Sequence, residues 1–212
     1  MTRLTRTESQ ARTRAHLVAA ARDLFLADGF AKTSLESVAD AAGYSKGAVY
    51  SNFRNKKELC LEVLELIHVS KFGEVSELLA GGATVEQSLV RFQDWAERTL
   101  GDVGWTMLEF EFAVVARVDP ELQASLVASL GVARRMVASI LESFAESLGV
   151  TLPIPIDDAA GSLLSLGIGL GIQRAVDPTI SARFITDGLR MLIALASVGD
   201  LASSKIALGA RP

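Results

Sequence analysis

Residues 33–57, TSLESVADAAGYSKGAVYSNFRNKK, constrain the fold of this 212-residue chain more tightly than any other stretch. They read as two short helices meeting at a glycine turn. Thr33 is a candidate N-cap, with Glu36 three residues on at the spacing of a capping box. Leu35, Val38, Ala39 and Ala42 then recur as one buried helical face. Gly43 supplies the turn, where a residue without a Cβ takes a positive φ freely. Ser45 is placed to cap the second helix, whose inner face is anchored by Val49 and Phe53, one turn apart. Lys46, Gly47, Ala48, Tyr50 and Ser51 are left for its leading and outer surface. Between Lys46 and Lys57 there are four basic residues and no acidic one.

Charge along the chain supports a polyanion partner for this segment alone. The net charge is −4 and the isoelectric point about 5.3. Residues 1–60 nevertheless carry ten Lys/Arg against six Asp/Glu, while the remainder carries eleven against nineteen. A basic amino-terminal part on an acidic body confines phosphate attraction to one surface.

The pattern extends on both sides of the helix pair. Ala20, Ala21, Leu24, Phe25 and Gly29 precede it, and Lys56 and Leu59 follow it. Together with Thr33-Ser34-Leu35, Val38-Ala39, Ala42-Gly43, Ser45-Lys46-Gly47, Tyr50 and Phe53, these residues make about the first 60 positions resemble the DNA-binding domain of the TetR family of bacterial transcriptional regulators. The resemblance implies that the helix from Ser45 to Phe53 enters the major groove, with Lys46, Gly47 and Ala48 at its leading end. The small residues there permit close approach to base edges and thymine methyls. It further implies phosphate contacts from the Tyr50 hydroxyl, from Thr33 and Ser34 at a helix start, and from Lys57. Ser45 and Ser51 complete the candidate DNA-binding set. Without the resemblance, Lys46 and Lys57 read first as solvated lysines and Tyr50 as a half-buried ring.

The rest of the chain reads as helical throughout, giving an all-α expectation. A polar, basic start up to Ser9 leads into a helix over 10–28 stopped by Gly29. Asn55 caps a fourth helix, with Glu58 in a capping-box position, that ends near Leu79 before Gly81-Gly82. Further helices are expected over 85–100, 105–117, 121–148, 158–175 and 181–198, with 202–212 as a frayed end. Gly101, Gly104, Asp119-Pro120, Gly149, Pro153-Ile154-Pro155 and Asp177-Pro178 punctuate them. The expected organisation is a three-helix, helix-turn-helix DNA-binding domain over 1–55, then a helical bundle over 56–212 for effector binding and dimerisation.

Two clusters in the bundle carry candidate sites. Trp95, Trp105, Leu108 and Phe112, with Met107 and Phe110 nearby, concentrate large apolar groups, and Glu109 and Glu111 are interleaved among them. A carboxylate on an apolar face is either at a boundary or partnered, so Arg117, Gln173 and Arg174 are candidate partners. That lining suits an apolar or cationic small molecule, although each residue taken singly reads first as plain core. The helices over 158–175 and 181–198 are the most continuously apolar. Leu163, Gly167, Gly171, Phe184, Leu189 and Leu192 are the candidate dimer interface, by position and character like the paired carboxy-terminal helices of TetR-like dimers. Half the residues are hydrophobic and mean hydropathy is +0.32, in keeping with apolar surface shared between subunits.

Other chemistry finds little to stand on. Cys60 is the single cysteine, most simply a small buried residue. His16 and His68 lack ligand-spaced partners, and no P-loop or dinucleotide-binding glycine motif is present, so neither an enzyme nor a metal or other cofactor is expected. With no apolar leader at its start, and with residues 159–172 as its most apolar run, the chain reads as cytoplasmic rather than membrane-bound. The expectation is a homodimeric repressor on a palindromic double-stranded operator, released by a small-molecule effector. The alternatives are an activator, a co-repressor-dependent regulator, or a small-molecule-binding helical protein without functional DNA binding.

Overall fold

The computed structural model describes residues 5–80 and 84–209, with side chains described through residue 197. Among the described residues the chain is all-α: α1 (Arg6–Lys32), α2 (Leu35–Ala42), α3 (Lys46–Asn52), α4 (Lys56–Ala80), α5 (Val85–Thr99), α6 (Val103–Ala116), α7 (Pro120–Leu148), α8 (Ile156–Val176) and α9 (Arg183–Gly209). Where the sequence suggests a frayed start up to Ser9, α1 begins at Arg6. Thr5 caps it by accepting from the Glu8 N–H, and Glu8 returns a bond to the Thr5 N–H. Gly29 breaks α1 with φ 82° and ψ 169°, and helix resumes briefly after it. At the other end α9 continues to Gly209, past the expected stop near 198. The expected break at Gly81-Gly82 lies outside the described residues.

Packing divides the chain into two compact units whose membership differs from a cut at residue 55. One comprises the described residues up to Val69 together with Val103–Ser129; the other comprises Ser70–Asp102 and the chain from Leu130 onward. The helices α4 and α7 each supply residues to both.

In the first unit α6 is part of the core, which is why the boundary moves. Leu108 and Phe112 are fully buried with Leu17, Phe25, Val38, Val49 and Phe53. Phe30 bridges Phe25 and Phe112, with ring centroids 5.9 and 5.7 Å away. Gly104 lets α6 lie against α1: a Cβ there would come within 2.6 Å of the Leu26 carbonyl oxygen. Each buried Phe contributes roughly 2–3 kcal/mol of apolar burial, so α6 is a substantial part of what holds the helix pair. Cys60 is fully buried in the same core, and burial pushes its thiol pKa well up, leaving it an inert packing group.

In the second unit α5 contributes Leu89, Phe92 and Trp95, α7 contributes Leu141 and Phe144, and α8 and α9 contribute Leu170, Ile185 and Leu189. Arg174 is buried there and fully engaged. Its Nε donates to the Leu100 carbonyl at 2.7 Å, its Nη2 to the Glu97 carbonyl at 2.7 Å, and its Nη1 to the Ile180 carbonyl and the Glu97 carboxylate. It thus closes the carbonyls at the end of α5, which have no helical partner. Gly101, at φ 89°, is required beside it, since a Cβ would sit 2.4 Å from the Arg174 Cβ.

The apolar residues of α8 and α9 do not all turn inward. Leu189 is only 4% exposed, and Gly171 is buried within the unit. Leu163 and Leu192 are half-buried, and the space above Gly167 is taken by Ile185, 3.8 Å from where a Cβ would stand. Phe184, Met191 and Leu195 are instead 54%, 64% and 53% exposed, spaced seven and four apart on one face of α9. Leu166 and Ile168 of α8 are exposed too. By length and composition alone α7 and α8 would also pass for membrane-spanning helices, and only 17% and 33% of their apolar windows are buried within one chain.

Candidate nucleic-acid interface

The helix pair forms as its sequence suggests, with one shift in its caps. Ser34, not Thr33, is the N-cap of α2: its hydroxyl accepts from the Ser37 N–H at 3.0 Å, and Ser37 reciprocates to the Ser34 N–H. Thr33 is buried, and its hydroxyl donates to the Gly29 carbonyl at 2.9 Å. It closes the corner after the Gly29 break, so its side chain is not presented to a phosphate. The cap falls one residue later than expected because α1 resumes through Lys32, leaving Ser34 as the residue that opens α2.

Gly43 ends α2 in the left-handed conformation, φ 71° and ψ 29°, and the Tyr44 N–H reaches the Ala39 carbonyl at 2.9 Å. Ser45 caps α3 by accepting from the Ala48 N–H at 3.3 Å. Val49 and Phe53 are buried as anchors, while Lys46, Gly47, Tyr50 and Ser51 are exposed and Ala48 is half-buried. The leading end of α3 is therefore small and open, with a lysine at its start. The Ser51 hydroxyl turns back to the Ala48 carbonyl at 2.9 Å.

Two cations whose packing role the sequence did not reveal lock this surface to the core. Arg14 of α1 packs over the Phe53 ring, 4.1 Å from its centroid, and donates to the Asn52 carbonyl and to Glu62. The Glu62 partner holds the Arg14 guanidinium pKa above its ordinary value. Lys56 donates to the carbonyls of Phe30 and Thr33 at 2.7 and 2.8 Å and stands over the Phe30 ring. Both serve packing, and both pairings link residues too far apart in sequence for any periodicity to reveal them.

Two of the residues expected to contact phosphate, Tyr50 and Lys57, are already partnered within the protein. The Tyr50 hydroxyl, on a residue 54% exposed, donates to Glu36 at 2.9 Å. That bond holds the Glu36 carboxyl below its ordinary pKa and raises the Tyr50 phenol. Lys57 donates to Asp119 at 2.5 Å, which lowers the Asp119 pKa. Asn55 caps α4 by accepting from the Glu58 N–H at 2.9 Å, and Glu58 reaches back to the Arg54 N–H.

Five of the six candidate effector residues lie on α6 in the first unit, and Trp95 lies on α5 in the second. Trp95 lies in the core of the second unit, its indole N–H donating to Glu74 at 2.8 Å. Leu108 and Phe112 are core residues of the first, and Trp105 packs against that core. Glu111 accepts from the Phe30 N–H at 2.9 Å, where the Gly29 break leaves a donor without a helical partner. Glu109 pairs with His68. Arg174, a candidate partner for both carboxylates, serves Glu97 instead. The interleaved carboxylates thus have protein partners at a helix break and beside α4.

Residues 17–63 match the sequence profile described as bacterial regulatory proteins, tetR family. Over 68 residues the chain is 41% identical to the HTH-type transcriptional regulator TtgR of a Pseudomonas putida strain, a segment covering 32% of each chain. It is 41% identical over 75 residues to AcrR of Shigella flexneri, covering 35% of this chain and 34% of that one. The chain thus matches about a third of the length of these curated relatives. Its fold is similar to that of a protein from Rhodococcus sp. RHA1 assigned as a transcriptional regulator, with a TM-score of 0.70 at 20% identity over 87% of this chain and 95% of that one. A protein from Mesorhizobium loti MAFF303099 assigned to the TetR family superposes with a TM-score of 0.66 at 20% identity, over 91% and 98%. The capped α2–Gly43–α3 pair lies inside the segment that matches the tetR-family profile, so it is this segment that carries the likeness to bacterial regulatory proteins.

Proposed function

We propose that the protein is a homodimeric, cytoplasmic transcriptional regulator that represses from a palindromic operator and is released by a small-molecule effector. The observation that carries the DNA-binding part is the open leading end of α3, with exposed Lys46 and Gly47 held by the Ser45 cap and by the buried Val49 and Phe53. A helix end of this kind, small and basic, reaches base edges in the major groove. Ser34, Ser45, Lys46, Gly47, Ala48, Tyr50, Ser51 and Lys57 are the contact set, Thr33 shaping the corner from behind. We assign DNA contact to residues 1–55 with the start of α4, and effector binding and dimerisation to the chain beyond.

A dimer is supported by the exposed face of Phe184, Met191 and Leu195, an apolar stripe of the kind that a second subunit covers. Two subunits related by a two-fold axis present two α3 helices to half-sites about one helical turn apart. Release requires only that the effector bind better to a state in which those helices are wrongly spaced.

Selection of duplexes from a random library, followed by anisotropy titration of the enriched sequence, tests this reading. The expected result is a palindromic site bound with steep salt dependence. Failure to retain any duplex above scrambled DNA at low salt overturns it. A thermal-shift ligand screen, with hits assayed for DNA release, then tests release by an effector against co-repressor-dependent binding.

A further inference from the structure

Two of the groups assigned above to DNA phosphates are each held by a carboxylate. Tyr50 donates to Glu36 at 2.9 Å, and Lys57 donates to Asp119 at 2.5 Å. A carboxylate and a phosphodiester oxygen are the same kind of partner, anionic and acceptor-only. A phenol has one proton, so Tyr50 cannot donate to Glu36 and to a phosphate at once. Lys57 has three, yet beside Asp119 its charge is neutralised before DNA arrives.

We propose that Glu36 and Asp119 are built-in competitors for the DNA backbone, and that the protein binds its operator by exchanging these carboxylates for phosphate oxygens. The proposal rests on the DNA-binding reading above and adds what sets its strength. Both competitors are held by helix starts. Glu36 lies in the first turn of α2, whose start is fixed by the reciprocal Ser34–Ser37 cap. Asp119 stands just before α7 and accepts from the Leu122 N–H at 3.2 Å with the carboxylate oxygen that does not meet Lys57. The Asp119 carboxylate is thus fixed from a second side, and Glu36 reaches Tyr50 from a backbone that its helix cap holds in place. The Tyr50 hydroxyl bridges residues fourteen apart, linking α2 to α3, and the Lys57 ammonium links the starts of α4 and α7.

The test is a pair of double-mutant cycles read by operator anisotropy titration at several salt concentrations. Glu36→Gln gives Tyr50 a partner that can donate to its oxygen, freeing the proton for phosphate, and should tighten binding about two- to fivefold. Asp119→Asn keeps the cap on α7 while releasing Lys57, and should tighten binding by a similar factor and steepen the log–log salt slope by about 0.9. The gain from Glu36→Gln should vanish in a Tyr50→Phe background, and the gain from Asp119→Asn in a Lys57→Gln background. Equal gains in both backgrounds would mean that the carboxylates act only as nearby negative charge, overturning the exchange. Weaker binding by both variants, with unchanged thermal melts, would make them positioning groups and overturn it as well. Wild-type protein that retains no duplex would instead overturn the DNA-binding reading itself.

Discussion

The exposed face of α3, proposed above to meet DNA, and the exposed face of α9, proposed to meet a second subunit, are prepared in opposite ways. Around α3 three outward polar groups are tethered while Lys46 stands open: Tyr50 to Glu36, Lys57 to Asp119, and Arg54 to Glu58 at 3.2 Å. Along α9, Phe184, Met191 and Leu195 stand open, with the neighbouring Leu189 turned into the core. A charged surface must stay soluble and shaped until a polyanion arrives, so its charges are held by local acceptors. An apolar surface gains nothing from such tethers, and its free energy comes from removal of the whole stripe from water.

The largest effect should come from breaking what the first surface stands on. Phe112→Ala removes a fully buried ring from α6 and should cost about 3–5 kcal/mol in urea unfolding, with operator binding lost although α6 presents no proposed DNA contact. Unchanged unfolding would show that α6 is not part of the support of the helix pair.

The α9 face comes next, and charges placed at two positions of the same helix should behave differently. Leu195→Glu should leave the fold intact and shift sedimentation toward monomer, since the side chain is already exposed. Leu189→Glu should lower the melting temperature sharply, because it places a charge in the core. A Leu195→Glu variant that remains dimeric at micromolar concentration would remove the α9 stripe from the interface.

A smaller change is expected at α3. Lys46→Ala should cost about 1–3 kcal/mol of operator affinity if the lysine reads a base, and alter sequence preference there. A uniform loss across sequences, with a salt slope shallower by about 0.9, would make it a phosphate contact instead.

The smallest effect concerns acid. The carboxyl of Asp119 has its pKa lowered chiefly by the hydrogen bond from Lys57. Its stabilising share is therefore present above the unfolded-state value, ordinarily near 3.8, and fades as pH falls through the lower folded-state value. Asp119→Asn should flatten the fall in stability below about pH 4. Identical acid limbs for wild type and variant would show that the tether contributes nothing to folding.

Local physics made much of this legible from residues alone. Gly43 needed a positive φ, Ser45 a donor to cap, and Val49 and Phe53 a common buried side; each depends on neighbours within a few positions. The same locality placed Gly29 as a break, and the helices from α5 to α8 within two residues at each end. It failed first at the corner, where Thr33 and Ser34 are both capping residues in adjacent positions and only the path of α1 decides between them.

What tertiary structure alone decided was partnership. The sequence determined that α6 is apolar with two carboxylates on it, and that α8 and α9 are apolar too. It carried no information on whether Glu111 meets a ligand or the Phe30 N–H, whether Arg174 neutralises Glu109 or Glu97, or which of Leu189 and Leu195 faces the core. Those choices join residues tens of positions apart, and helical periodicity is silent about which face another helix covers. The tethers on Tyr50 and Lys57 belong to the same class. A basic run is visible in any sequence, while the carboxylate that holds each group is found only where the chain folds back on itself.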